Sequence, residues 1–121
     1  MSIFVSRADV ADILAAWGRG DLSAVEVHEW AEMRYWPSDL EVDDEEDEDN
    51  SVCREVLHHL DSLDMNLVIQ EDIPAMLDFL STPRGQFSTG YERWDRITKN
   101  IDYKKRMMQL REIEPYSPIC K

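Results

Sequence analysis

Apolar residues return at helical spacing through most of the chain, and capping residues, glycine or proline mark the breaks between runs. Val10, Ile13, Leu14 and Trp17 recur at i, i+3, i+4 and i+7, the stripe of an amphipathic helix. Ser6 can cap the free amides of its first turn, and Asp9 lies near its positive end. Gly18 and Gly20 supply the left-handed backbone that ends helices. Ser23-x-x-Glu26 is a capping box, with Leu22 and Val27 spaced as its hydrophobic staple. Val27, Trp30 and Ala31, with Met33 or the stem of Arg34, carry the inner face of helix two until Pro37 stops it. The short break between these two helices predicts antiparallel neighbours.

The pattern then fails. Residues Asp39 to Asp49 hold nine acids in eleven positions, interrupted only by Leu40 and Val42. Such a block repels itself, so 38–50 is expected to be an acidic, mobile loop. Asn50 or Ser51 can cap helix three, which carries Val52, Val56, Leu57, Leu60 and Leu63. Leu67-Val68-Ile69 either extends that helix or runs as an apolar connector. Asp72 caps helix four, where Pro74 sits in the first turn and its missing amide costs little. Ile73, Met76, Leu77 and Leu80 form its stripe, with Phe79 beside them. Thr82-Pro83-Arg84-Gly85 reads as a loop. Thr89-x-x-Glu92 is a second capping box, expected to open the longest helix, running to about Arg111. Trp94, Ile97, Ile101 and Met108 lie on one side of it, with Tyr91 near its start. Pro115 and Pro118 make 112–121 an irregular tail. The expectation is one all-α domain over 1–121. Its core is an antiparallel four-helix bundle-like arrangement with an additional, longer C-terminal helix, and no alternation calls for a sheet.

Composition agrees with that class. The chain has 121 residues, and its 43% hydrophobic content can support a core, while 4 Gly and 5 Pro are few for a turn-rich β domain. Charge narrows the function. With 26 Asp+Glu against 13 Lys+Arg, the net charge is −13, which counts against phosphate backbones and anionic membrane surfaces as partners. No apolar run approaches the ~20 residues of a membrane-spanning helix. The first residues have no basic region ahead of an apolar stretch, so cytoplasmic residence is expected. Cys53 and Cys120, far apart in sequence, are then expected as free thiols. The charge is also polarised. Residues 1–83 hold 21 acids and four bases, a net of −17, whereas 84–121 hold five acids and nine bases, a net of +4. The Lys104-Lys105-Arg106 cluster either packs on the acidic body or forms a separate binding patch.

Motifs for catalysis are incomplete. Glu55-x-x-His58 has the spacing of di-iron carboxylate bundles, but such a site needs a second pair, and Val25 stands three before His28. The core register also belongs to Val56, Leu57 and Leu60. His28-Glu29-Trp30-Ala31-Glu32 begins like a zinc protease helix and has Glu where the second His must stand. The acidic run has no glycine for the sharp turn of a calcium loop. No nucleophile elbow or glycine-rich phosphate loop is present, and Cys53, beside Arg54 and near His58, reads as a buried thiol. No catalytic residue, metal or cofactor is therefore expected. Trp36, next to Tyr35 and Pro37 at a helix end, is the aromatic group expected at a surface, of the kind enriched in binding hot spots. The expected partner-binding set is Asp39, Glu41, Asp43, Asp44, Glu45, Glu46, Asp47, Glu48 and Asp49, with Tyr35 and Trp36.

The stretch Ile13-Leu14-x-x-Trp17-Gly18-x-Gly20-x-Leu22-Ser23-x-x-x-Val27-x-x-Trp30-Ala31 resembles the opening helical hairpin of small bacterial immunity proteins of the colicin D immunity type. The acidic insert and the basic last helix depart from that family's pattern. The resemblance implies an acidic helical bundle that blocks a basic nuclease toxin by presenting carboxylates where substrate phosphates would sit. A strongly acidic surface would also steer a basic partner into contact. Two alternatives stand beside this. One is a structural or regulatory homo-oligomer held through Tyr35, Trp36 and the Met107/Met108 region. The other is a metal-dependent enzyme resting on the Glu55/His58 spacing.

Overall fold

The computed structural model describes residues 3–37, 39–44 and 50–120. In chain order the elements are β1 (Ile3–Val5), α1 (Arg7–Gly18), α2 (Ala24–Tyr35), β2 (Leu40–Val42), α3 (Val52–Asp61), α4 (Ile73–Leu80), α5 (Phe87–Lys99), α6 (Tyr103–Leu110) and α7 (Ser117–Cys120), with a 3-10 turn at Gln70–Asp72 before α4. The described residues are mostly helical, in line with the expected all-α class. Among them, no helix is long and apolar enough to cross a membrane.

The first two helices start where local chemistry dictates. Ser6 accepts from the Asp9 amide at 3.0 Å while the Asp9 carboxylate accepts from the Ser6 amide at 3.0 Å. Ser23 and Glu26 repeat this reciprocal pair at the head of α2. Gly20, at φ 82°, makes the left-handed turn between the two helices. Ser51 caps α3 by accepting from the Arg54 amide.

Three expectations are corrected. First, Leu40–Val42 leaves the acidic stretch and pairs in parallel with Ile3–Val5, in the register Ile3 to Leu40 and Val5 to Val42. Leu40 is buried, Glu41 exposed and Val42 half-buried, a period of two that the surrounding charge hides. So 38–50 is not wholly a loop; Ser38 and Glu45–Asp49 lie outside the described residues. Second, the long C-terminal helix is two helices. α5 begins at Phe87, before the Thr89-x-x-Glu92 box, and stops at Lys99, after which Asp102 starts α6 by accepting from the Lys105 amide at 3.1 Å. Third, the tail is anchored rather than irregular. Tyr116 is buried with its hydroxyl donating to the Val68 carbonyl, and α7 follows it.

The core gathers Leu14, Val27, Val56, Leu57, Leu60, Met76 and Phe79, all essentially without solvent exposure. α2 packs on α3, α1 contacts α3 and α4, and α4 carries α5. The last junction is close. Phe79 stacks on Trp94 at 4.8 Å, and at Gly90 a Cβ would lie 2.1 Å from Thr82 Oγ1, so only glycine lets α5 approach. Leu67-Val68-Ile69 is a connector, buried at Leu67 and Val68, with Leu67 in the left-handed region at φ 50°. Cys53 and Cys120 are free, buried thiols.

Candidate functional site

The expected acidic face divides. Asp39 and Glu41 are exposed on and beside β2, while Asp43 is half-buried. Asp44 turns inward and loses contact with water almost entirely. Its carboxylate accepts from Arg7 Nε at 2.7 Å, Ser51 Oγ at 2.7 Å and the Cys53 amide at 2.9 Å. Arg7 in turn donates to the Leu80 and Thr82 carbonyls, joining α1, β2, α3 and the end of α4. Burial opposes the Asp44 charge, but these three donors outweigh it and hold the carboxyl below the usual carboxylate range. Asp44 is therefore removed from the partner-binding set, because an acid whose lone pairs are taken inside the fold cannot meet a partner. Glu45, Glu46, Asp47, Glu48 and Asp49 lie outside the described residues.

Asp43, Asp44 and Cys53 bring ligand-type atoms within 4.8 Å of one another. A positive charge already serves them, since Arg7 sits on Asp44 and its amide donates to Asp43. Burial, and then the charges of Asp44 and Asp43, push the Cys53 thiol up to about 12. A thiol that keeps its proton is a poor metal ligand.

A second cluster forms further along α3. Val56, Leu57 and Leu60 face the core, which turns Glu55, His58, His59 and Ser62 outward at i, i+3, i+4 and i+7. α2 borders one side of this stripe. Tyr35 stacks on His58 at 4.8 Å and meets Trp36 edge-on at 5.9 Å. Trp36 is 71% exposed. Nearby, His28 Nε2 donates to the Asp61 carbonyl at 2.8 Å and lies 3.0 Å from Glu32 and 3.5 Å from Asp64. On α2 and at its C-cap, Glu29, Met33 and Trp36, at i, i+4 and i+7, are all exposed.

The other side of the stripe opens into a cleft of about 250 Å³. Glu55, His58, His59 and Asn66 line it from α3 and the following turn, Tyr91, Trp94, Asp95 and Thr98 from α5, and Tyr103 from α6. Asn66 Nδ2 lies 3.3 Å from both the His59 carbonyl and His59 Nδ1. The amide nitrogen donates to both, so Nδ1 accepts and the ring proton sits on Nε2. Burial drives His59 down to about 4, with the Asp72 charge opposing and His58 and Arg106 assisting, so the ring is neutral near pH 7. Its edge meets Trp94 at 4.9 Å. Burial likewise raises the Tyr103 phenol. Asp95 takes Lys99 Nζ at 2.7 Å. The Glu55 carboxylate has no hydrogen-bond or ion-pair partner among the described residues.

The structure thus joins Tyr35 and Trp36 to a site centred on Glu55 and His58, while Glu45–Asp49 of the acidic run lie outside the described residues. Glu55 and His58 carry a sequence signal, their outward register, which also matches a metal-site spacing. His59, Trp94, Asp95 and Tyr103 carried none, because the cleft exists only once α5 and α6 dock. Lys104, Lys105 and Arg106 also separate. Arg106 makes a bidentate pair with Asp72 at 2.7 Å and donates to the Leu67 carbonyl, whereas both lysines are exposed. In comparisons with protein-family models, curated proteins and solved structures, this chain has no match.

Proposed function

We propose that this chain is a non-catalytic, cytoplasmic protein-binding module of the immunity or inhibitor type, which neutralises a basic protein partner such as a nuclease toxin. In this reading α1 to α4 act as an antiparallel four-helix bundle whose α2–α3 side presents the contact face. One observation carries it. The exposed Trp36 continues through Tyr35 and His58 into a cleft, and α2 also carries the exposed acids Glu29 and Glu32. An aromatic anchor supplies buried area on contact, and surrounding carboxylates supply steering and selectivity for a basic surface. Asp39 and Glu41 extend the same charge along β2. The resemblance of the α1–α2 hairpin to colicin D immunity-type proteins points the same way.

The test is capture of partners from the native cytosol, followed by purification of the captured protein and measurement of its affinity. Trp36→Ala is expected to cost about 2 kcal/mol or more of binding, and Glu29→Gln with Glu32→Gln to slow association and flatten its salt dependence. A captured protein that is acidic, or that binds all variants equally at every salt concentration, overturns the reading. A homo-oligomer is the second reading, favoured by Met108 at 75% and Trp36 at 71% exposure. A sedimentation coefficient that rises with concentration selects it.

A further inference from the structure

The cleft between α3, α5 and α6 has a composition that restricts what can enter it. Tyr91, Trp94 and Tyr103 line it with rings, of which Trp94 is buried against Phe79 and Tyr91 stacks on Phe87, and Glu55 and Asp95 line it with carboxylates. Among the described residues, no lysine or arginine lines it. His59 brings no positive charge, since it is held neutral. Lys99 reaches Asp95 from an exposed position on the same helix, leaving Glu55 as the carboxylate without a partner among the described residues. The Tyr91 and Tyr103 hydroxyls also have no hydrogen-bond partner there. The cleft therefore offers an unpartnered carboxylate beside aromatic rings and the His58 and His59 imidazoles, with no lysine or arginine among its described lining residues.

We propose that this cleft is a socket for an arginine side chain of the basic partner. A guanidinium is planar, carries its donors in a fork that matches one carboxylate, and stacks on aromatic rings while keeping its charge. A lysine ammonium would meet the same carboxylate as a point charge and gain less from the rings. A volume of about 250 Å³ accommodates one such side chain and excludes a folded element. The inference rests on the protein-binding reading and names the partner group that reads the face.

The test uses the protein alone, by two-dimensional NMR titration with acetyl-Gly-Arg-Gly-amide, its lysine counterpart and its citrulline counterpart, which keeps the shape of arginine without the charge. The arginine peptide is expected to shift the Trp94 indole N–H and the Glu55 and Tyr103 amides saturably. The lysine peptide should bind at least about fivefold more weakly, and the citrulline peptide should produce no saturable shift. Glu55→Gln is expected to weaken arginine binding about tenfold, whereas Glu92→Gln, on an exposed position of α5, leaves it unchanged. Absence of a saturable shift at these residues, equal binding of arginine and citrulline or of arginine and lysine, or an unchanged Glu55→Gln affinity overturns the proposal. A failed peptide titration leaves the partner-capture and salt results intact, and a failed capture leaves the peptide result intact, so the two readings fail separately.

Discussion

Two clusters of charged groups touch α3, and they differ in how their acceptors are used. At the helix N-terminus, Asp44 spends its carboxylate on Arg7, Ser51 and the Cys53 amide, and Arg7 spends its remaining donors on two carbonyls. Further along, Glu55 faces a cleft with no such partner, beside a stacked His58 and a neutral His59. Both lie near strongly acidic sequence, and charge density alone would assign them the same role. The difference is satisfaction. A buried charge whose hydrogen bonds all close within the fold organises the fold, and an open one at a cleft remains available to something else.

The comparison breaks most visibly at Asp44. Asp44→Ala leaves the Arg7 guanidinium, Ser51 and the Cys53 amide without their shared acceptor, and is expected to cost about 3–5 kcal/mol in denaturant unfolding. A cost below about 1 kcal/mol would place Asp44 with the functional acids after all. Next in size is a pH effect at the cleft. His59 stays neutral in the fold down to about pH 4, whereas the unfolded chain protonates it near its ordinary value of 6.5. Its contribution is therefore complete above pH 6.5 and is lost as pH falls towards 4, on the order of 3 kcal/mol. Asp44 adds its loss only at lower pH, below the ordinary 3.8, because its folded pKa is depressed. Thermal unfolding against pH should then show two separated declines, and NMR titration of the His59 ring should give a midpoint near pH 4. The smallest effect is the sharpest contrast. Glu55→Gln should change folding stability by less than about 0.5 kcal/mol, since it removes no internal contact. A large loss there would make the cleft a structural feature.

How much of this was legible before folding follows from the range of each interaction. The Ser6/Asp9 and Ser23/Glu26 caps were readable because they close within three residues. The outward register of Glu55 and His58 was readable from the apolar positions between them. β2 was not, because its partner strand lies more than thirty residues earlier and its two apolar residues sit among acids. Asp44 could not be told from its acidic neighbours, since Arg7, Ser51 and the Cys53 amide converge on it only in the fold. The division of the last helix was not visible, because Trp94, Ile97 and Ile101 carry an unbroken periodicity across it and Asp102 shows itself as a cap only in the fold. The cleft depends on Gly90 letting α5 seat against Thr82, a contact no local pattern announces.

Cys53 gives the Arg7–Asp44 junction a chemical reporter. Its sulfur is buried, donates to the Val5 carbonyl at 3.6 Å and holds its proton up to about pH 12. An alkylating reagent attacks only thiolate that solvent can reach, so the closed state is inert to it. The labelling rate at Cys53 therefore counts the moments when β1, β2 and the head of α3 part company, and it times the opening of one seam without unfolding the rest.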